Sequence, residues 1–307
     1  MRTCAIVNPT AGGGRVRRMW PRLLSRLLDV TDSLSVRWTT GPDAATTLTR
    51  QALKAGADRI VAVGGDGTLH EVVNGFFEDQ TPIAPAAVLA VVACGSGSDF
   101  RRTLEAPTGV QAVDQLRSDR VAPFDVLRIE HTAASRCRAG RYAINIASAG
   151  LSGAVVRHFS GGRRLLPPRL RYLGAALRAL ITDPPVPVRL ALDGASLPSD
   201  RVRLVVAANG HTFAAGLPIA PTATPQDGLL DVVVLRDLPV PTLLRHTHRF
   251  YRGTHTALSG VDTYRGRCLT ITPTDVVRPV WTEADGEALG RLPMSVEVIP
   301  RAIRVQY

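Results

Sequence analysis

The chain has 307 residues, 45% apolar and 21% charged, a globular composition that excludes a disordered or fibrous protein and leaves room for two ordinary domains. Its formal charge of +11 favours polyanionic partners: nucleotides, nucleic acid or an anionic membrane face. Of 37 basic residues only Lys54 is lysine, set in a helix-like segment and followed by Ala55, which argues against a Walker A loop, a protein-kinase strand lysine and a pyridoxal Schiff base. The first 130 residues alternate strand and helix. Residues 3–7 read as a short apolar strand, followed by a glycine-rich turn and a helix over 15–28 with leucines at helical spacing. A second strand is predicted at 35–39 and a second helix at 43–55, capped by Asp43. The strand at 59–63 breaks at Gly64-Gly65, and Leu69, Val72, Val73, Phe76 and Phe77 then mark one buried helical face. The strand at 88–93 again ends in glycines. Such alternation implies a parallel sheet wrapped by helices, with ligands beyond the carboxyl ends of the strands.

After about Phe124 the texture changes. Strands are predicted at 142–147, 186–192, 202–208, 230–235, 268–272, 279–282 and 294–299, interrupted by helices at 169–181 and 241–251. The expected fold class is therefore α/β: a parallel-sheet domain over 1–125, then a strand-rich, sandwich-like domain over 126–307 whose last strand can return to the first domain. Cys4, Cys94, Cys137 and Cys268 lie far apart, so neither a disulfide framework nor a zinc module is indicated. No apolar run approaches the ~18 residues of a membrane span, and the cytoplasm is the simplest compartment.

Three strand-to-turn junctions carry residues suited to phosphate: 8–14, 64–68 and 95–99. Glycines let backbone N–H groups approach an anion, and a helix N-terminus adds partial positive charge. One such turn is most often only a tight turn; three at one sheet edge point to a ligand. The first is not GxGxxG and the third lacks the GxSxG frame, which disfavours a dinucleotide fold and a hydrolase elbow. Asp66, flanked by glycines at a strand end, suits a metal-bound nucleotide, since Mg²⁺ takes hard oxygen ligands. Asp99 and Asp125 lie near the same edge; their plainer readings are a helix N-cap and a solvated strand residue.

NPTAGG at the first turn, GGDGTLHEVVNG at 64–75 and GSGSDF at 95–100 resemble the diacylglycerol kinase catalytic domain family, which includes sphingosine kinases and bacterial lipid kinases. The resemblance continues through YAINIASAG at 142–150, the block at 207–235 that ends DGLLDVVVL, and Asp285-Gly286-Glu287. It implies that Asp66 organises Mg²⁺ and phosphates while Gly64, Gly65, Gly67 and Thr68 cradle the nucleotide. Asn8 and Gly12 would border that pocket, with Thr39 or Thr40 at its side and Ser96 where the family has Thr. Asp99 and Asp125 would join Asp66 in an aspartate–water–Mg²⁺ network. Glu287 would be the general base and Asp66 the second catalytic residue, while Asp227 with the carbonyls of Thr224 and Leu229 would hold a second, structural magnesium. Ser98 departs from the family's Asn, Ala93-Cys94 departs from its Pro-Leu, and the segment WTTGPDA is one residue short. The plainer reading of Asp285-Gly286-Glu287 is a hairpin turn.

The resemblance implies a lipid kinase that uses ATP and Mg²⁺ to phosphorylate a lipid hydroxyl, such as that of diacylglycerol or a sphingoid base. The alternatives are an NAD kinase, which shares GGDGT, and a nucleotide-binding regulator that performs no transfer. Charge alone motivates a nucleic-acid binder, and with aromatics at 5% no stacking pattern supports one. On the helix at 169–181, Leu170, Leu173, Leu177, Leu180 and Ile181 share one face, with Arg171 and Arg178 on another. That pattern fits either peripheral contact with an anionic membrane or a core helix with exposed arginines. His246 and His248, two apart on a helix, make a poor metal pair. The sequence names neither the acceptor lipid nor the oligomeric state, a homodimer included.

Overall fold

The computed structural model describes all residues except 96, 133–137, 161–167, 199–200 and 276–277. The chain divides into two compact units, Met1–Val126 with Ile299–Tyr307, and Leu127–Val298. Ile299–Tyr307, the end of the last strand, thus lies in the first unit.

In the first unit the order is β1 (Arg2–Val7), α1 (Ala11–Val30), β2 (Ser33–Trp38), α2 (Ala44–Lys54), β3 (Arg59–Gly64) and α3 (Asp66–Gly75). There follow a short hairpin of β4 (Phe77–Glu78) and β5 (Thr81–Pro82), then β6 (Val88–Ala93), α4 (Asp99–Thr103), a 3-10 segment (Gly109–Arg117) and the start of β7 (Val121–Thr132). β1 pairs in parallel with β2 and β3, β3 pairs in parallel with β6, and residues 304–306 pair in parallel with β6. β3 and β6 are buried along their whole length and β1 from its second residue on, the pattern of strands covered on both faces. Leu23 and Leu27 of α1, both fully buried, pack with Val7, Val61, Val63 and Val92, and each such burial is worth roughly 1.5–3 kcal/mol. The C-terminal strand is tied in by a buried cation. Arg59 donates to Thr3 Oγ1 (3.2 and 3.1 Å), Leu116 O (3.2 Å) and Gln306 Oε1 (3.0 Å), and burial lowers its affinity for its proton.

The second unit contains β8 (Arg138–Ala143), β9 (Ile146–Gly150), α5 (Leu151–Ser160), α6 (Pro168–Thr182), β10 (Val186–Leu192), β11 (Ala195–Leu197), β12 (Arg201–Ala208) and β13 (Leu230–Arg236). It continues with α7 (Val240–Arg245), α8 (Thr247–Tyr251), β14 (Val261–Gly266), β15 (Cys268–Pro273), β16 (Trp281–Ala284) and most of β17 (Glu287–Gln306). Its pairings are antiparallel: β9 with β12 and β16, β12 with β13, β13 with β14, and β15 with β10 and β17. Alternate residues of β12 enter two cores. Val205 and Ala207 join Leu190, Ile271 and Val296, whereas Leu204, Val206 and Ala208 join Ile219, Val233 and Leu243.

Local departures from the sequence reading have identifiable causes. The strand expected at 142–147 breaks at Ile144-Asn145, where three successive N–H groups turn to the Asp285 carboxylate. The helix expected at 241–251 is two short helices meeting at His246. Asp43 takes a left-handed conformation (φ 58°) and makes no side-chain cap. The cap comes instead from Glu71 of α3, whose carboxylate accepts from Asp43 N (3.0 Å) and Ala45 N (2.9 Å).

Candidate functional site

The turns after β1, β3 and β6 meet at the carboxyl edge of the parallel strands. In the first, Asn8 N donates to Val63 O (3.0 Å), and its side chain faces two ways. Asn8 Oδ1 accepts from Thr10 N (3.0 Å) and Thr10 Oγ1 (2.8 Å), while Nδ2 donates to the buried Thr68 Oγ1 (3.0 Å). Asn8 therefore fixes its own turn against the GGDGT turn. Gly12, Gly13 and Gly14 all have left-handed φ (61°, 68° and 80°), which glycine adopts without a Cβ penalty. A Cβ at Gly12 would stand 2.6 Å from Cys94 O, whereas Gly13 and Gly14 have open space on that side.

Asp66 opens α3 and joins the second turn to the third. Its Oδ2 accepts from Ser98 N (2.6 Å) and its Oδ1 from Asp99 N (2.8 Å), so it satisfies the first N–H groups of the following segment. Gly65 and Gly95 are in backbone contact: a Cβ at Gly95 would lie 2.6 Å from Gly65 Cα. Gly64 is closed off likewise by Thr68, whose Oγ1 would stand 2.4 Å from an added Cβ, and Gly67 lies in the first turn of α3. Arg102, which the sequence reading missed, locks the third turn from below. Its Nη1 donates to Gly97 O (2.7 Å) and Asp99 Oδ1 (2.9 Å). Its signal was the i, i+3 spacing from Asp99. Thr39 is half-buried with its N–H on Val7 O (2.9 Å), and Thr40 is exposed. Ser96 lies outside the described residues.

The fit to a cation can be tested on Asp66 and Asp99. A Cβ at Gly97 would approach Asp66 Oδ2 to 2.7 Å and Asp99 Oδ2 to 3.8 Å, so both carboxylates flank the same glycine. Both Asp66 oxygens already accept backbone N–H groups and Asp99 Oδ1 pairs with Arg102, so Mg²⁺ here would be met by the remaining lone pairs and by Asp99 Oδ2, largely through water. Asp125 is fully buried and its Oδ1 accepts from Arg301 N (2.7 Å), holding the returning strand. Among the described residues no three His, Cys, Asp or Glu side chains gather in a group that could hold a metal. The cavity beneath the turns, lined by Ala62, Gly64, Leu69, Val91 and Ser98 among others, is about 10 Å³, at most one water.

In the second unit, residues 284–287 form the hairpin turn between β16 and β17, with Ala284 paired to Glu287 and left-handed φ at Asp285 (50°) and Gly286 (86°). Three carboxylates crowd this turn with different tasks. Asp285 is buried and accepts from Ile144 N (3.1 Å), Asn145 N (3.0 Å) and Ile146 N (3.0 Å). Glu283 is buried and accepts from Ser148 Oγ and Gly286 N (2.9 Å). Glu287 is exposed.

Comparison with known proteins accounts for this arrangement. Residues 2–129 match the diacylglycerol kinase catalytic domain, and residues 145–307 match the YegS C-terminal NAD kinase beta sandwich-like domain. The chain belongs to the family in which a diacylglycerol kinase catalytic domain precedes a YegS C-terminal NAD kinase beta sandwich-like domain. A Staphylococcus haemolyticus protein that carries the provisional name of a lipid kinase is 26% identical over 258 residues, 83% of this chain and 78% of its own length. A diacylglycerol kinase structure from Bacillus anthracis shares the fold at a TM-score of 0.72 and 21% identity, over 100% of this chain and 96% of that one. An NAD kinase from Archaeoglobus fulgidus in complex with ATP is more distant, at a TM-score of 0.52 and 16% identity over 99% and 93% of the two chains.

The structural magnesium implied for this diacylglycerol kinase family member does not fit its residues. Asp227 Oδ1 accepts from Leu229 N (3.0 Å), and Oδ2 pairs with Arg265 Nη2, so a guanidinium stands where a cation would bind. Arg265 also reaches the buried Asp231 (3.4 Å), and Asp231 is the main cause of its raised proton affinity. Thr224 and Leu229 are left with backbone carbonyls but no available carboxylate charge. Adding Mg²⁺ without nucleotide is expected to leave the melting temperature unchanged within about 1 °C. Arg265→Gln, which strips the compensating charge from Asp231, is expected to cost about 1–3 kcal/mol, partly recovered by Mg²⁺; thermal unfolding with and without the ion measures both.

The Gly65–Gly95 contact carries a second expectation. Gly95→Ala drives a methyl into backbone and should destabilise by about 1–3 kcal/mol, whereas Gly13→Ala, strained in φ but open in space, should cost about 1–2 kcal/mol. The urea midpoint should fall further for Gly95→Ala than for Gly13→Ala; a Gly95→Ala loss no larger than that of Gly13→Ala would mean the two turns do not touch.

Proposed function

We propose that this chain is a lipid kinase that transfers the γ-phosphoryl group of ATP to a lipid hydroxyl. The observation that carries the reading is the Asp66 carboxylate at the meeting point of three glycine turns on the carboxyl edge of a parallel sheet. Backbone N–H groups of Gly12 and Gly13 and the N-terminus of α3 grip the phosphates, since the first N–H groups of a helix lack intrahelical partners. Asp66 and Asp99 would hold Mg²⁺, which neutralises triphosphate charge when bound. Asn8, Thr68 and Arg102 position the turns rather than touch substrate. Glu287 takes the proton of the acceptor hydroxyl as its oxygen bonds to the γ-phosphorus and the bond to the bridging oxygen of ADP breaks. The protonated Glu287 then returns its proton to water.

The test is a transfer assay with γ-labelled ATP and Mg²⁺, offering diacylglycerol, a sphingoid base, a glycolipid and NAD side by side, with mass spectrometry of the product. Label in a lipid upholds the reading. Label only in NAD makes the distant NAD kinase likeness the functional one, and ATP binding without transfer to any acceptor makes the chain a regulator.

A further inference from the structure

In the second unit two arginines stack on one indole ring. A Cβ at Gly153 would stand 2.4 Å from Trp281 O, so α5 lies directly against the backbone of β16. Arg157, one turn further on the same side of α5, brings its guanidinium carbon to 4.4 Å from the centre of the Trp281 ring. Arg291 pairs with Trp281 across the β16–β17 hairpin, and its guanidinium carbon lies 4.9 Å from the same centre. The two cations are thus no more than about 9 Å apart, within the ~10 Å over which charges act at ordinary salt.

Elsewhere in the chain arginines meet carboxylates, as Arg26 meets Asp114, Arg102 meets Asp99 and Arg236 meets Asp262. Arg157 and Arg291 form no ion pair with any described residue. Arg291 Nε is buried and has no hydrogen-bond partner among them. Glu283, two positions along β16 from Trp281, is engaged by Ser148 Oγ and Gly286 N (2.9 Å). A ring face attracts a cation but does not neutralise it, so two guanidiniums on one ring repel each other. An oxyanion held by both removes that repulsion. A carboxylate has two oxygens, which one arginine fork can occupy alone, whereas a phosphate group has oxygens for two forks. Arg157 is exposed while Trp281 and Arg291 are half-buried, so the cluster is reached from solvent. We propose that Arg157, Trp281 and Arg291 form a binding site for a phosphate group, in addition to the glycine turns of the first unit. The group is carried by a lipid headgroup or comes as free phosphate; the recognition chemistry is the same.

The Trp281 indole N–H is one of three in the chain and reports on this site, because Trp20 and Trp38 pair with each other in the first unit. Its NMR signal, assigned by its loss in Trp281→Phe, is followed without nucleotide and at constant ionic strength. The probes are inorganic phosphate, glycerol 3-phosphate and dihexanoyl phosphatidic acid below its micelle concentration. Saturable displacement with a midpoint of about 1–10 mM inorganic phosphate is expected. A midpoint more than about tenfold lower for the phosphatidic acid than for glycerol 3-phosphate assigns the site to a lipid headgroup; midpoints closer than that assign it to free phosphate. Arg157→Gln is expected to raise the midpoint about three- to tenfold, and Arg157→Gln with Arg291→Gln to abolish saturation. Arg157 is exposed, so the single variant decides the matter should the double variant fail to fold. No displacement of the Trp281 signal by about 50 mM phosphate overturns the proposal. So does equal displacement by chloride, an unchanged midpoint in Arg157→Gln, or displacement of the Trp20 and Trp38 signals alone, which would put the anion on the first unit. With no ATP present, failure here leaves the transfer reading standing, and failure of transfer leaves this site standing.

Discussion

Asp66→Asn is expected to reduce phosphoryl transfer by roughly a thousandfold while the protein stays folded. The substitution keeps the shape of the side chain but removes its charge, and it sets an amide N–H₂ against one of the two N–H groups that Asp66 now accepts, Ser98 N or Asp99 N. The lost hydrogen bond should cost about 1–3 kcal/mol, measurable as a lowered urea midpoint. Stability and turnover therefore move by very different amounts. If the carboxylate served only to cap the turn, activity would track the small stability loss. Turnover within tenfold of wild type in a folded Asp66→Asn variant would remove the basis of the kinase reading.

Glu287→Gln is expected to lower kcat by roughly a hundred- to ten-thousandfold with no change in KM for ATP and a stability change within about 0.5 kcal/mol. Glu287 is exposed and Gln has the same shape, so the packing of the hairpin changes little. Its neighbours behave differently for a physical reason: Glu283 and Asp285 are buried and accept backbone N–H groups, so removing either charge unsettles the turn itself. Equal kcat in wild type and Glu287→Gln would transfer the proton-accepting role elsewhere.

The parts legible in the sequence were those decided over a few residues. β1, β3 and β6 were readable as apolar runs, and the three turns by the glycines that follow, which at residues 12–14 take left-handed φ and at 64–65 and 95 allow close backbone approach. The parts that escaped it depend on distant partners. Asp66 contacts Asp99 across 33 residues, Glu71 caps α2 across 28, and Arg301 reaches Asp125 across 176. The plainer reading of Asp125, a solvated strand residue, fails because nothing near it in the sequence shows which strand will cover it. The break at Asn145 escaped for the same reason, since its cause, Asp285, lies 140 residues away.

The sequence by itself determined where backbone turns and which residues share a face, because φ preferences and apolar periodicity are local properties. Only the tertiary structure decided which partner each carboxylate takes and which face of α6 is hidden. Helical spacing draws the leucine stripe, but the alanines at 175 and 179 allow close approach to α5, and that packing leaves the leucines outside.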